Sequence, residues 1–162
     1  MPKVIYKLDK DISTDIIYPG RHMATVLPSE TPKFAFDDLP ELNELLNSDK
    51  YRAPGVIVAG KNFGCGSSRE QAASTLRGHD LIIVAPNFAR IFLQNAINLG
   101  LRTVICPDIE ADTGDELEIT DTEIINKTKD KTFKTNPLPK SRQAIVDAGG
   151  LIPYTRKRLN EK

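Results

Sequence analysis

Two short apolar runs without polar interruption, Val56-Ile57-Val58-Ala59 and Leu81-Ile82-Ile83-Val84-Ala85, and a third strand pattern from Leu101 to Ile105 set the rhythm of the middle of the chain. Runs of this length predict strands covered on both faces. Between them the pattern changes to helical periodicity. Ser68 to Arg77 predicts one helix with Gly78 as its stop. Asn87 to Leu99 predicts another, carrying Phe88, Ile91, Phe92, Asn95, Ala96 and Leu99 on one stripe and stopped by Gly100. Strand, helix, strand, helix, strand predicts a parallel sheet with right-handed crossovers.

The flanks read differently. Val4 to Leu8 predicts a short strand, Asp11-Ile12-Ser13-Thr14-Asp15 a polar turn, and Ile16-Ile17-Tyr18 a resumed extended run broken by Pro19-Gly20. Arg21 to Thr31 is irregular and reads as a mobile surface loop, spanning about residues 20–32 with its flanks. Phe34 to Leu46 has weak helical periodicity that Pro40 divides into two pieces. Beyond the third strand, Leu117 to Thr120, Glu123 to Asn126 and Lys131 to Lys134 alternate apolar and polar residues, as in an antiparallel patch wetted on one face. Ser141 to Ala148 predicts a helix closed by Gly149-Gly150, and Tyr154 to Lys162 a solvated helix end. The expected architecture is a single α/β domain over residues 1–162, in three layers with a partly parallel central sheet.

Composition narrows the function classes. With 22 basic and 22 acidic side chains, no bulk field favours nucleic acid or a membrane surface. The N-terminus lacks a signal-peptide core, and no apolar run is long enough to span a bilayer, so a cytoplasmic location is expected. Cys65 and Cys106 are too few for an iron–sulfur cluster or a structural zinc site, and only His22 and His79 accompany them. The expectation is a chain without a metal of its own.

The chemistry concentrates in Gly60-Lys61-Asn62-Phe63-Gly64-Cys65-Gly66-Ser67-Ser68-Arg69-Glu70-Gln71, between a buried strand and a helix. Its glycines permit tight turns and close ligand approach, and a helix start offers unpaired N–H groups beside two hydroxyls and a guanidinium. A Walker loop fails because Gly66 precedes Ser67, a dinucleotide fingerprint fails at Arg69, and a hydrolase elbow on Ser68 fails at Glu70. Ser67 and Glu70 also have capping-box spacing, so spacing alone leaves Ser67 as either a helix cap or a ligand-facing hydroxyl. Arg69 reads as a carboxylate fork or a surface ion pair, and Cys65 as a small packed thiol. These residues define a site for a small anion and go no further.

Taken with Asn87-Phe88-Ala89-Arg90-Ile91-Phe92, Asn95-Ala96-Ile97-Asn98-Leu99-Gly100, Asp11-Ile12-Ser13-Thr14-Asp15-Ile16-Ile17 and Ala148-Gly149-Gly150-Leu151, the block Asn62 to Glu70 resembles the aconitase superfamily's swivelling domain. Within it, the chain is most similar to the separately encoded small subunits of 3-isopropylmalate dehydratase and their relatives. The likeness covers nearly the whole chain and implies a three-layer β/β/α fold. It implies a hydro-lyase that moves a hydroxyl by eliminating and re-adding water, with a [4Fe–4S] cluster on a separate large subunit and none here. It also implies that Ser67 is the base, that Ser68 and Arg69 bind substrate carboxylate, and that Asp15 supports the site.

In that family the loop after Pro19-Gly20 reads the substituent on a malate core, and relatives acting on tricarboxylates place an arginine there. Here Arg21, His22, Met23 and Ala24 fill the loop, and Pro-Gly alignment puts Ala24 at the discriminating position. That favours an alkyl-substituted malate, with Arg21 as the complication. Other readings are a dimethylmalate dehydratase or homoaconitase-like small subunit, or a non-catalytic carboxylate-binding module.

Overall fold

The computed structural model describes residues 1–161; Lys162, the last residue of the predicted tail, lies outside the described residues. Four strands, β1 (Lys3–Lys7), β2 (Gly55–Val58), β3 (Ile82–Ala85) and β4 (Arg102–Ile105), form a wholly parallel sheet in sequential order. Side chains alternate between its faces. Ile57, Ala59, Leu81, Ile83 and Ala85 join one core with the helices, while Val4, Val56, Val58, Ile82 and Val84 join a second with Cys106, Leu117 and Ile124. Both faces are dry at β2 and β3, which is why those two strands read as unbroken apolar runs, whereas β4 begins with the exposed Arg102.

Helices α1 (Thr14–Ile17), α2 (Pro40–Leu46), α3 (Glu70–Gly78) and α4 (Arg90–Leu99) bury Ile17, Leu42, Leu46, Ala72, Ala73, Leu76, Phe92 and Ala96 in the first core. The antiparallel sheet β5 (Leu117–Ile119), β6 (Glu123–Asn126) and β7 (Lys131–Lys134) supplies Leu117 and Ile124 to the second core. The layers are therefore β, β and α, as the resemblance implied. Helices α5 (Lys140–Asp147) and α6 (Leu151–Asn160) pack against α4.

Several local expectations are corrected. Residues 14–17 are helical, so Ile16 and Ile17 are not extended and Thr14 and Asp15 are more than a turn, because Ser13 caps the segment: its hydroxyl accepts the Ile16 N–H at 3.2 Å. Pro40 begins α2 at its first position, where its missing N–H costs nothing. Gly78 is the last residue of α3 and not a left-handed cap beyond it; a Cβ there would fall 2.2 Å from Pro32 Cγ, so close packing of the preceding loop explains the glycine. Residues 87–89 are extended, and α4 begins at Arg90. Ile91, placed on the buried stripe by periodicity, is 54% exposed. Gly100 does close α4, with φ at 75°. The segment from Arg21 to Thr31 contains part of a 3-10 turn (Gly20–His22), and the Tyr18 hydroxyl donates to the carbonyls of His22 and Thr25 at 3.1 Å each.

His79, capping α3, ties that helix to the loop. Its Nε2 lies 2.7 Å from the Pro32 carbonyl, to which the neutral ring donates, and Tyr51 donates to the His79 carbonyl at 2.5 Å. Burial holds the imidazole pKa below its ordinary 6.5, so the unfolded chain binds more protons near neutrality. The stability contributed by the neutral ring is complete above that ordinary value and drains away as pH falls toward the depressed folded one. Thermal melts should therefore show a midpoint that drops as pH is lowered from 7.5 to 5.5. A His79→Gln variant should flatten that slope, and an equal slope in both chains would contradict the assignment.

Candidate active site

The glycine-rich turn leaves the C-terminal end of β2 and is wedged between two other segments at the same edge of the parallel sheet. On one side Gly60 N–H donates to Asp9 O at 3.1 Å, Asp11 N–H to Lys61 O at 2.8 Å, Gly64 N–H to Ile12 O at 2.7 Å and Thr14 N–H to Cys65 O at 2.8 Å. On the other, Phe63 N–H donates to Asn87 O at 3.3 Å and Ala89 N–H to Phe63 O at 2.9 Å. Ligands bind open α/β sheets at this carboxyl edge, where the loops converge.

Gly64 is the tightest point. Its φ is +84°, and an added Cβ would sit 2.3 Å from Phe92 Cγ. Phe92 is nearly fully buried and packs edge-on to Phe63 at 5.2 Å between ring centroids. Gly66, at φ +100°, then turns the chain outward. Asn62 takes a positive φ of 63°, and its Nδ2 donates to Asp11 at 3.0 Å while its backbone N–H donates to the Asn87 side chain at 2.6 Å.

The capping box does not form. Helix α3 starts at Glu70 with Arg69 at the cap position and no side-chain cap bond. Ser67 and Ser68 precede the helix, and both are exposed. Ser67 Oγ lies 3.1 Å from Thr14 Oγ1, and Asn95 donates to the Ser68 carbonyl at 3.3 Å. Among the described residues, the backbone N–H groups of residues 66–71 donate to no acceptor. A run of free donors at a nine-residue helix start is an anion-binding arrangement.

Arg69 holds the cap position within this run. Its Nη1 donates to Asp15 Oδ1 at 2.7 Å and to Tyr18 O at 3.1 Å, while its Nε is buried and meets no acceptor. The same Asp15 oxygen accepts the Gly20 N–H at 3.0 Å. The Arg69 hydrogen bond, helped by Gly20, holds the Asp15 carboxyl below its ordinary pKa, so it stays anionic. Gly20 is packed so that a Cβ would touch Arg69 Nη2 and Asp15 Oδ1 at 3.4 Å each. Gln71 donates to the Met23 carbonyl at 3.2 Å, bringing the loop alongside α3.

Ser67, Ser68, Arg69 and Asp15 thus share one opening with the backbone of the loop. The loop side chains divide. Met23 and Ala24 are exposed, whereas Arg21 and His22 are engaged elsewhere. Arg21 pairs with Asp37 at 2.7 Å and Asp38 at 2.8 Å; His22 reaches Asp37 at 2.7 Å and stacks on Phe34 at 3.8 Å. Sequence reading missed Thr14 and the Asp37-Asp38 pair. Thr14 lay inside the quoted Asp11–Ile17 signature, but only the fold puts it against Ser67. The two aspartates interrupt an otherwise apolar stretch, a signal too common to stand alone.

Neither cysteine is placed as a cluster ligand. Cys65 lies in the turn, while Cys106 is buried, its Sγ donates to Lys134 O at 3.4 Å, and burial pushes its thiol pKa up to about 11. Among the described residues no group of three or more His, Cys, Asp or Glu could hold a metal ion, so these donors do not fit a [4Fe–4S] cluster. No helix among them is long and apolar enough to cross a membrane.

The fold is that of the aconitase C-terminal domain, whose family model matches residues 26–108. The chain is 41% identical over 162 residues to the 3-isopropylmalate dehydratase small subunit of Methanosarcina mazei, covering 97% of each. It is 39% identical to the isopropylmalate/citramalate isomerase small subunit of Methanocaldococcus jannaschii, covering 97% of this chain and 94% of that one. A crystal structure of 3-isopropylmalate dehydratase from the same archaeon matches with a TM-score of 0.86 at 37% identity, covering 96% of this chain and 93% of that one. The chain belongs to the 3-isopropylmalate dehydratase small-subunit family.

If the Gly64 contact dictates the turn, Gly64→Ala should destabilise the chain by about 2–4 kcal/mol, combining left-handed strain with overpacking. In a double-mutant cycle read by urea denaturation, Phe92→Ala should absorb part of that penalty, giving a cost below the sum of the single changes. Strict additivity would mean the two residues do not press on each other.

Proposed function

We propose that this chain is the small subunit of a two-subunit hydro-lyase of the 3-isopropylmalate dehydratase type, with Ser67 as the base and an alkyl-substituted malate as substrate. One observation carries the reading: a solvent-facing hydroxyl and a guanidinium with a buried free donor stand together beside a run of unpaired backbone amides. Ser68, Arg69 and the amides of residues 66–71 bind substrate carboxylate. Asp15 holds Arg69 in place and uses only one edge of its fork.

A serine hydroxyl keeps its proton at neutral pH unless its anion is stabilised. Here the helix start, its free N–H groups and Arg69 place positive potential beside Ser67. Covering the opening with a second chain removes water and strengthens each of these interactions. Ser67, as the alkoxide, takes the carbon-bound proton during elimination and returns a proton to carbon during re-addition. The Lewis acid acting on the leaving hydroxyl belongs to a [4Fe–4S] cluster on the large subunit. This chain's thiols do not fit such a group.

The exposed apolar side chains beside the opening suit that covering partner. Met23, Val26 and Leu27 lie on the loop, and Ile91 stands one helical turn before Asn95, which holds Ser68. The substrate reading follows from Arg21. Its guanidinium is committed to Asp37 and Asp38, leaving Met23 and Ala24 uncommitted among residues 21–24, which suits an uncharged substituent.

In the enzyme reconstituted with its cluster-bearing large subunit, Ser67→Ala should lower kcat by about 10²–10⁴-fold, with KM changed far less. Undiminished turnover would remove the base assignment and favour a non-catalytic carboxylate-binding module. The Arg21 ion pairs are half exposed and screened by water, so each holds the guanidinium only weakly. The double variant Asp37→Asn/Asp38→Asn should accordingly shift kcat/KM toward malates with a third carboxylate by only about fivefold relative to alkylmalates. An unchanged ratio would show that Arg21 has no access to the substrate.

A further inference from the structure

Thr14 is almost fully buried, at 2% exposure, yet its hydroxyl lies 3.1 Å from the Ser67 oxygen. Its backbone is fixed at both ends: the N–H donates to Cys65 O at 2.8 Å, and the carbonyl accepts the Tyr18 N–H at 2.8 Å. A β-branched side chain on so fixed a backbone has little rotamer freedom. Gly66 borders it closely, since a Cβ there would fall 3.5 Å from Thr14 Oγ1. Among the described residues Ser67 is the only hydrogen-bond partner of that hydroxyl.

The arrangement has a direction. Helix α1 presents two successive residues to the turn, Thr14 to Ser67 and Asp15 to Arg69. With Ser67 neutral, either hydroxyl can donate. Once Ser67 has lost its proton, only Thr14 can, and a hydrogen bond to an anionic oxygen is much stronger than one between neutral groups. The buried hydroxyl therefore favours the deprotonated serine over the protonated one while fixing the serine rotamer.

Building on the reading of Ser67 as base, we propose that Thr14 is a positioning residue for the reaction, a fixed donor that stabilises the Ser67 alkoxide and aims it at the substrate carbon. Thr14 transfers no proton and keeps its own throughout the cycle.

The test uses the reconstituted two-subunit enzyme. Thr14→Val removes the hydroxyl at nearly constant shape, Thr14→Ala removes it with a smaller side chain, and Thr14→Ser keeps it. Both hydroxyl-free variants should lower kcat by about 10- to 100-fold, with KM within about twofold. The rise of kcat with pH should move to higher pH, since the serine anion has lost a donor. Thr14→Ser should recover kcat to within a few-fold of wild type with an unshifted profile. The proposal is overturned if either hydroxyl-free variant that melts like the wild-type chain keeps kcat within twofold. A loss in Thr14→Ser equal to that in Thr14→Val overturns it as well. If Ser67→Ala is inactive while the Thr14 series is flat, only this inference fails; if Ser67→Ala turns over normally, the base assignment beneath it fails too.

Discussion

The contact of Gly64 with Phe92 is the constraint on which the rest of this site depends. The turn can lie flat against the start of α4 only because residue 64 has no side chain and tolerates a positive φ. Once it lies there, Phe63 points into the core beside Phe92, and the backbone is free to bond residues 9–14 on one side and 87–89 on the other. The turn thereby becomes an extra, irregular strand laid across the carboxyl edge of the sheet. Its outward swing at Gly66 carries Ser67, Ser68 and Arg69 past the end of that edge, to the start of α3. Rigidity on the core side is what allows the reactive groups to face solvent without being loose.

Electrostatics at this edge is arranged so that a negative charge is expected and only partly supplied. Asp15 satisfies one nitrogen of Arg69, Tyr18 O shares it, and the Arg69 Nε and the amides of residues 66–71 are left over. Donors left unpaired in the free chain are costly when dry and tolerable when wet, which fits a half-site that is completed only when something covers it. Arg21 shows the opposite solution. Asp37 and Asp38 neutralise it outside the opening, so the loop adds no further cation there.

How much could be read from the chain alone depended on range. Strands buried on both faces announced themselves in β2 and β3, because every residue there is apolar whichever way it points. The reactive block was legible since Gly64, Gly66, Ser67 and Arg69 combine uncommon backbone freedom with anion-binding groups, and its resemblance to a family sharpened the roles. Local spacing misled where a distant segment decided the outcome. Ser67 and Glu70 had the spacing of a capping box, yet Ser67 bonds Thr14, fifty-three positions earlier. Gly78 looked like a helix stop and is a packing glycine against Pro32. Ile16 and Ile17 looked like strand and became helix because Ser13 caps them. Arg21 and His22 were placed in the substrate-reading loop by the resemblance, and Asp37, sixteen and fifteen residues on, draws both side chains to itself.

The central claim is that the outward-facing turn and the loop beside it form one half of a site whose other half is carried by a second chain. Hydrogen–deuterium exchange of this chain, alone and mixed with its large-subunit partner, measures that directly. The account predicts slowed exchange on mixing in residues 66–71 and 20–27 and at the first turn of α4, with the outer edge of β4 unchanged. Protection confined to β4 and α5, with the amides of residues 66–71 exchanging as fast in the mixture as in the isolated chain, would contradict it.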